Sequence, residues 1–287
     1  GTTTYTWTND QTSIGLAASG TGDIASFTAT NAGTAPVVAT IVVTPHFANG
    51  SVICDGPTKT FTITVNPTAQ VNQPTSQIIC NGTATTGITF GTINTVGTVT
   101  YTWTNDQISI GLAANGTGDI LAFTAVNTGN APIIATISVT PHFTFGGLTC
   151  DGPSKTFTIT VDPTPQVIPS ILTQTICNNG NTNIVIGSPS TFSNGVVTFN
   201  YTAVATGGVT GFTTPLTGLP KDYFINDTLF NPTDEPQTVT YTIVPVSAIG
   251  CASGPATVVI TVLPTVDVIQ PVSRVLCVGD VSYEIIL

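Results

Sequence analysis

Apolar and polar residues alternate along this chain with a period of two. In "KTFTITV" (59–65), Phe61, Ile63 and Val65 fall on one side, and Thr60, Thr62 and Thr64 on the other. In "VTYTWTN" (99–105), Val99, Tyr101 and Trp103 share a face opposite three threonines. Strict alternation predicts strands with one buried and one solvated face. Turn signals separate the runs: Asn-Gly at 81–82 and 115–116, and Asp-Gly-Pro at 55–57 and 151–153. About seven short strands per roughly hundred residues predict a two-sheet sandwich of immunoglobulin type.

The pattern recurs. "YTWTNDQ" stands at 5–11 and again at 101–107, and residues 5–71 align with 101–167 without a gap. Trp7 falls on Trp103, Asp23 on Asp119, His46 on His142 and Cys54 on Cys150. A third, diverged copy follows: "VTYTW" (99–103) becomes "VTFNY" (197–201), and "KTFTITVDP" (155–163) becomes "ATVVITVLP" (256–264). "QIICNG" (77–82) becomes "QTICNNG" (174–180), and Cys277 opens a fourth copy. The predicted units are 1–66 (repeat 1, lacking its beginning), 67–163 (repeat 2), 164–264 (repeat 3) and 265–287 (the start of repeat 4). Pro67, Pro163 and Pro264 close the last strand of each unit, because proline cannot donate to a ladder. Linkers as short as "VNPTAQV" restrict the freedom of neighbouring units, so the expected object is an elongated, semi-rigid rod. Pro45, Pro141 and Pro245 are expected at strand ends, where they blunt exposed edges.

Composition narrows the function. Only 6% of the 287 residues are charged, net charge is −10, and Met is absent. The four cations are Lys59, Lys155, Lys221 and Arg274. Such a surface repels phosphate backbones and lacks the basic clusters that dock on anionic lipid. No apolar run approaches the ~20 residues of a membrane-spanning helix. No signal peptide is visible; the chain reads as a piece of a longer protein.

Six cysteines lie at 54, 80, 150, 177, 251 and 277, with no C-x-x-C. Their regular spacing in a charge-poor chain reads as disulfides formed in an oxidising compartment. Two connectivities fit the spacing: Cys80–Cys150 with Cys177–Cys251 within units, or 54–80, 150–177 and 251–277 between them. Closing ~70 residues is worth roughly 4.4 kcal/mol and closing ~27 roughly 3.6, too close to decide. Geometry favours the within-unit pairs, since first and last strands running parallel share one end. Cys54 and Cys277 would then pair outside the sequence in hand.

The unit "C-N-G … Y-T-W … G-T-G-D-I … A-P … V-T-P … C-D-G-P … T-F-T-I-T-V-x-P" resembles the PKD-like repeats of very large cell-surface proteins of Bacteroidota. These include the mobile adhesins of gliding bacteria exported by the type 9 secretion system. The resemblance covers nearly the whole chain. It implies tandem Ig-like (PKD-like) sandwiches at the cell surface or outside the cell, and a role in adhesion with an unspecified glycan or protein ligand. The family brings no catalytic residues.

The remaining chemistry is sparse. His46 and His142 occur in "TPHF", with Val246 at that place in repeat 3, and the linear pattern sets no acid or nucleophile beside them. They read as strand-end residues, and no catalytic motif is present. Asp10, Asp23 and Asp55 return as Asp106, Asp119 and Asp151 and form a candidate calcium set. Turn and cap chemistry explains them equally, and no other cofactor is expected. Trp7 and Trp103 read as core residues; the competing use is a sugar-stacking platform. The expected function is a non-enzymatic adhesin stalk. The alternatives are a filament subunit joined by strand exchange and a carbohydrate-binding module of a secreted hydrolase.

Overall fold

A computed structural model describes residues 1–285. Among them the chain is all β, apart from two single 3-10 turns at Thr12–Ile14 and Ile108–Ile110. It divides into two compact units: 1–127 with 133–162, and 128–132 with the chain from Pro163 onward.

The first unit holds two sheets. Strands β1 (Thr2–Asn9), β2 (Ser19–Thr21), β3 (Val37–Asn49), β4 (Val52–Asp55) and β5 (Lys59–Val65) form one, ordered β2-β1-β3-β4 with β5 also on β3. Strands β6 (Gln77–Cys80), β7 (Thr98–Asn105), β8 (Asn115–Thr117), β9 (Ile133–Phe145), β10 (Leu148–Asp151) and β11 (Lys155–Asp162) form the other, ordered β6-β11-β9-β7-β8 with β10 on β9. The long strands β3 and β9 are central because each switches neighbours along one edge. β5 pairs with β3 up to Val43, and β4 takes over at His46. Pro45 sits at that switch. Its missing N–H is not called for there, and its carbonyl accepts the Gly56 N–H at 3.0 Å. Pro45, Pro141 and Pro245 therefore lie within β3, β9 and β20, and the expectation that they cap strand ends is corrected.

The second unit has strands β12 (Ile168–Pro169), β13 (Thr173–Ile176), β14 (Gly180–Asn181), β15 (Ile184–Gly187), β16 (Thr198–Ala205), β17 (Leu216–Leu219), β18 (Phe224–Ile225), β19 (Thr228–Leu229), β20 (Gln237–Val246) and β21 (Ala256–Val262). Its main sheet runs β13-β21-β20-β16-β17, and β12-β15-β18 and β14-β19 complete it. In both units a short first strand runs parallel to the last: β6 on β11, and β13 on β21.

Three apolar clusters match the alternation. Trp103, Ile110, Ile137, Phe157, Ile159 and Val161 anchor one. Phe199, Tyr201, Tyr241, Ile243 and Ile260 anchor another, and Trp7, Ile14, Ala39 and Ile41 the third. Each indole lies flat against a glycine. A Cβ on Gly116 would fall 2.2 Å from the Trp103 ring, and one on Gly20 equally close to Trp7, so only glycine fits. Equivalent side chains differ in one respect: Phe157 is 3% exposed, whereas Phe61 is 46% exposed. β11 is covered by β6; no strand among the described residues pairs with the outer edge of β5.

Buried asparagines replace missing loop structure. Asn105 donates to the carbonyls of Gln107, Leu112 and Ala113, and its Oδ1 accepts the Gln107 N–H; Asn9 repeats the set on Gln11, Leu16 and Ala17. Asp10 and Asp106 cap the Thr40 and Thr136 amides. "YTWTNDQ" thus recurs because nearly every residue has a packing or capping task. Asn31, Asn127 and Asn231 each donate to the last strand of their repeat, at Val65, Val161 and Val262.

The second unit adds a device absent from the first. Tyr241 is fully buried and donates its hydroxyl to Asp227 at 2.7 Å. Burial, reinforced by this hydrogen bond and the carboxylate charge, raises the Tyr241 pKa far above that of a free phenol. Burial, then the charge of Asp227, pushes Tyr201 up to about 12, and burial also raises Tyr101. The unfolded chain deprotonates near pH ~10, whereas the folded one holds these protons longer. This contribution to stability is therefore intact below pH ~10 and lost as pH rises through 12. Melting temperature followed from pH 8 to 12 should fall above pH 10. The fall should be shallower in Tyr201→Phe, which removes one of the perturbed phenols.

Candidate functional site

The sheets bring together residues that the linear pattern separates. The β3–β4 hairpin turns between Asn49 and Val52, so its register places His46 opposite Asp55. His46 Nδ1 lies 2.5 Å from Asp55 Oδ1, and its Nε2 lies 2.8 Å from Thr6 Oγ1 on β1. Repeat 2 reproduces the chain: His142 Nδ1 to Asp151 Oδ1 at 2.6 Å, and Nε2 to Thr102 Oγ1 at 2.8 Å. A neutral ring carrying its proton on Nδ1 donates to the carboxylate and accepts from the threonine hydroxyl. The reading of these histidines as lacking a neighbouring acid or hydroxyl is thus corrected. Counting outward from the Asn49–Val52 turn would have found the acid.

Hydroxyl, imidazole and carboxylate stand in the order of a nucleophilic triad. The setting is different. Thr6 and Thr102 lie mid-strand, where neighbouring amides are committed to the ladder rather than aimed at a developing oxyanion. Asp55 and Asp151 side chains are 65% and 71% exposed. The arrangement staples three adjacent strands on the solvated face. Repeat 3 replaces all three members together, with Asn200, Val246 and Ala252 at the aligned places.

The six candidate calcium ligands are dispersed. Asp10 and Asp106 cap amides, Asp55 and Asp151 hold histidines, and Asp119 accepts the Phe90 N–H at 3.0 Å. No group of three or more His, Cys, Asp or Glu among the described residues has metal-binding geometry. Trp7 and Trp103 are 8% and 7% exposed, so neither offers a stacking platform. The second unit has an open depression of about 530 Å³ lined by Phe192, Val197, Pro220 and Lys221, with no convergent polar constellation.

The cysteines depart from the expected pairs. Cys80 and Cys251 are disulfide-bonded, while Cys54, Cys150, Cys177 and Cys277 carry free thiols. Neither Cys80–Cys150 nor Cys177–Cys251 forms. The expected parallel first strand is present, but Cys80 is at its far end, opposite Asp162. Cys150 precedes the start of β11. The strand alone separates them by roughly 23 Å at ~3.3 Å per residue, against the ~7 Å limit between bonded Cα atoms. Cys177 and Cys251 are separated in the same way along β21.

Linker contacts are the other recurrent polar feature. In the first unit Ala69 and Val71 are buried. Asn94 Oδ1 accepts the Gln70 N–H at 2.7 Å, and Asn94 Nδ2 donates to the Thr68 carbonyl. The Thr95 N–H reaches the Thr34 carbonyl at 2.8 Å, and Asn66 donates to Phe145. A Cβ on Gly152 would strike the Ala69 carbonyl, which accounts for the glycine of "CDGP". Ninety-six positions on, within the second unit, Ser190 accepts the Gln166 N–H at 2.9 Å and Asn130 the Thr191 N–H at 2.8 Å.

Residues 174–266 match a family described as PKD-like domain. No curated protein matches the sequence. Among solved structures, the EC3–6 segment of protocadherin gammaB7 is 14% identical with a TM-score of 0.41, over 80% of this chain and 60% of that one. The EC22–24 segment of mouse cadherin-23 is 15% identical with a TM-score of 0.42, over 92% and 86%. A three-Ig segment of titin is 8% identical with a TM-score of 0.41, over 92% and 88%. This chain spans 60% and 45% of the two protocadherin structures it matches first. No helix among the described residues is long and apolar enough to cross a membrane.

Two outcomes follow from this geometry. Thiol titration of the denatured, unreduced chain should count four reactive cysteines, rising to six after reduction; the within-unit connectivity would give two before reduction. His142→Ala should change unfolding free energy by at most about 1 kcal/mol, because the pair is solvent-facing. Asn105→Ala should cost more, about 1–3 kcal/mol, because it strands buried carbonyls; denaturant titration compares the two.

Proposed function

We propose that this chain is a non-enzymatic segment of the repetitive stalk of a secreted or surface-anchored bacterial adhesin, working outside the cell in surface attachment, with gliding as its setting. The observation that carries the reading is the recurrence of the linker hydrogen bonds at an interval of 96 residues, Gln70 to Asn94 and Gln166 to Ser190. A stalk needs each repeat fixed to its linker in the same way, so that length adds without loss of stiffness. The PKD-like match over 174–266 and the resemblance of the other repeats to the same surface proteins support it.

In this reading the segment contributes reach. A ligand, glycan or protein, would be met by loops, and low affinity per repeat would be offset by repetition. Calcium has no assigned role, since five of the six candidate acids already serve backbone amides or histidines. Trp burial removes the observation that favoured a carbohydrate-binding module.

Force extension of the reduced chain held at its ends tests the proposal. The expected record is a series of separate unfolding peaks, each releasing about 30 nm of contour for roughly 95 residues at ~3.4 Å. Asn94→Ala should lower the force at which the linker yields. A single peak for the whole chain, or none, would remove the stalk reading.

A further inference from the structure

Asn-Gly occurs five times in the chain, at 49–50, 81–82, 115–116, 179–180 and 194–195. In this dipeptide the glycine nitrogen can attack the asparagine side-chain carbonyl, because no Cβ obstructs its approach. The attack needs a glycine N–H free of hydrogen bonds, a mobile asparagine side chain and a backbone that can turn. Four of the five lack one or more of these. Gly82 donates its N–H to the Ala125 carbonyl at 2.8 Å, and Asn81 Oδ1 accepts the Asn127 N–H at 2.8 Å. Gly180 donates to the Cys177 carbonyl and Asn179 to the Leu229 carbonyl, both at 2.9 Å. Asn115 and Gly116 stand in β8 opposite Thr104 and Trp103, with Gly116 against the indole. Asn49 ends β3 and is fixed opposite Val52 across the hairpin.

Asn194–Gly195 meets all three conditions. It lies inside repeat 3, in the bend that leads from Thr191 to β16, and belongs to no strand. Both residues are exposed. Among the described residues, neither the Asn194 side chain nor the Gly195 N–H has a hydrogen-bond partner. The bend is also longer than its counterpart in repeat 2. Val99 follows Thr95 by four positions, whereas Val197 follows Thr191 by six. The extra residues carry the Asn-Gly, so repeat 2 has no equivalent.

We propose that Asn194 is a site of spontaneous covalent modification, selected by the fold from among five chemically equivalent sequences. The Gly195 nitrogen loses its proton to solvent and bonds to Asn194 Cγ. The Cγ–Nδ2 bond breaks, and Nδ2 leaves as ammonia. Water then opens the five-membered ring at either carbonyl, giving aspartate or isoaspartate. Nothing is oxidised or reduced, and water is the only co-reactant. Both products place a carboxylate beside Gly195, which lines the open depression together with Lys221. A rim whose charged side chain is a lysine thereby gains a negative partner. Isoaspartate also inserts the Cβ methylene into the main chain. That lengthens the bend three residues after Thr191, whose N–H is held by the Asn130 carbonyl, and so loosens this contact. The inference is independent of the stalk reading, because the chemistry requires only the folded repeat.

The test is incubation of the 1–287 chain in mildly alkaline buffer, with timed peptide mapping by mass spectrometry. The peptide holding Asn194 should show amide-to-acid conversion at least about tenfold faster than those holding Asn49, Asn81, Asn115 and Asn179. In denaturant the five rates should converge, because the selection comes from the fold. Asn194→Gln should abolish the fast conversion and leave the melting curve unchanged. Hydrogen exchange at the Thr191 amide should be faster in the isoaspartate form than in fresh protein. Equal rates in the folded chain, a faster rate at any of the other four sites, or a lead for Asn194 that persists in denaturant would each overturn the proposal. An unaltered Thr191 amide would overturn the consequence drawn for its contact with Asn130.

Discussion

The last strands of repeats 2 and 3 are paired on both edges, and much of the architecture follows from that pairing. An unpaired buried amide costs about as much as a lost hydrogen bond, so a strand meant to be interior needs two neighbours. β9 and β20 supply one in antiparallel fashion. The other is a short parallel strand from the start of the repeat, which ties the two ends of each domain into one sheet. Where that strand stands, Phe157, Ile159 and Val161 are sealed; where it does not, Phe61 is open. Phe157 also packs against Phe90, with ring centroids 6.4 Å apart, so its burial reflects the segment that follows β6 as well as the strand itself.

The same parallel pairing governs the cysteines. A parallel strand places like ends together, so what matters is where along its strand each cysteine falls. Cys80 ends its first strand and Cys177 directly follows its own, whereas Cys150 and Cys251 precede the last ones. Knowing that the strands were parallel was insufficient; the end of the strand at which the sulfur sits decided the outcome. Spacing along the chain carries the strand order well and the offset within a pair poorly, because one strand length shifts a residue by some 20 Å while changing the sequence separation by only a few positions.

The alternating segments were legible because period two leaves no freedom. Trp103, on one face with Val99 and Tyr101, had to be core, and it is. Glycines 20 and 116 and asparagines 9 and 105 recur in the repeat, but their tasks depend on which ring or carbonyl approaches through space. The His46–Asp55 pair was hidden for a related reason, since it needs the hairpin register as well as the turn. Tyr241 and Asp227 were less accessible still. The repeat logic predicts an aliphatic residue at Tyr241, as Ile137 is in repeat 2, and the divergent copy instead buries a phenol with a carboxylate.

Divergence of the third copy separates what the fold needs from what it tolerates. The asparagine clamp on the last strand persists at Asn31, Asn127 and Asn231 through an insertion that changes the spacing. The linker contact persists with Ser190 in place of Asn94. The Thr–His–Asp chain does not persist; all three positions change to residues that cannot form it. A buried carbonyl without a donor is costly wherever the repeat stands, while a staple on a solvated face contributes little and is replaceable. Persistence therefore follows burial, and the features that survive lie at the closure of the sheet and at the linker. In a chain with so few charges, these neutral hydrogen bonds do the work that ion pairs do on more polar surfaces, and they are insensitive to salt.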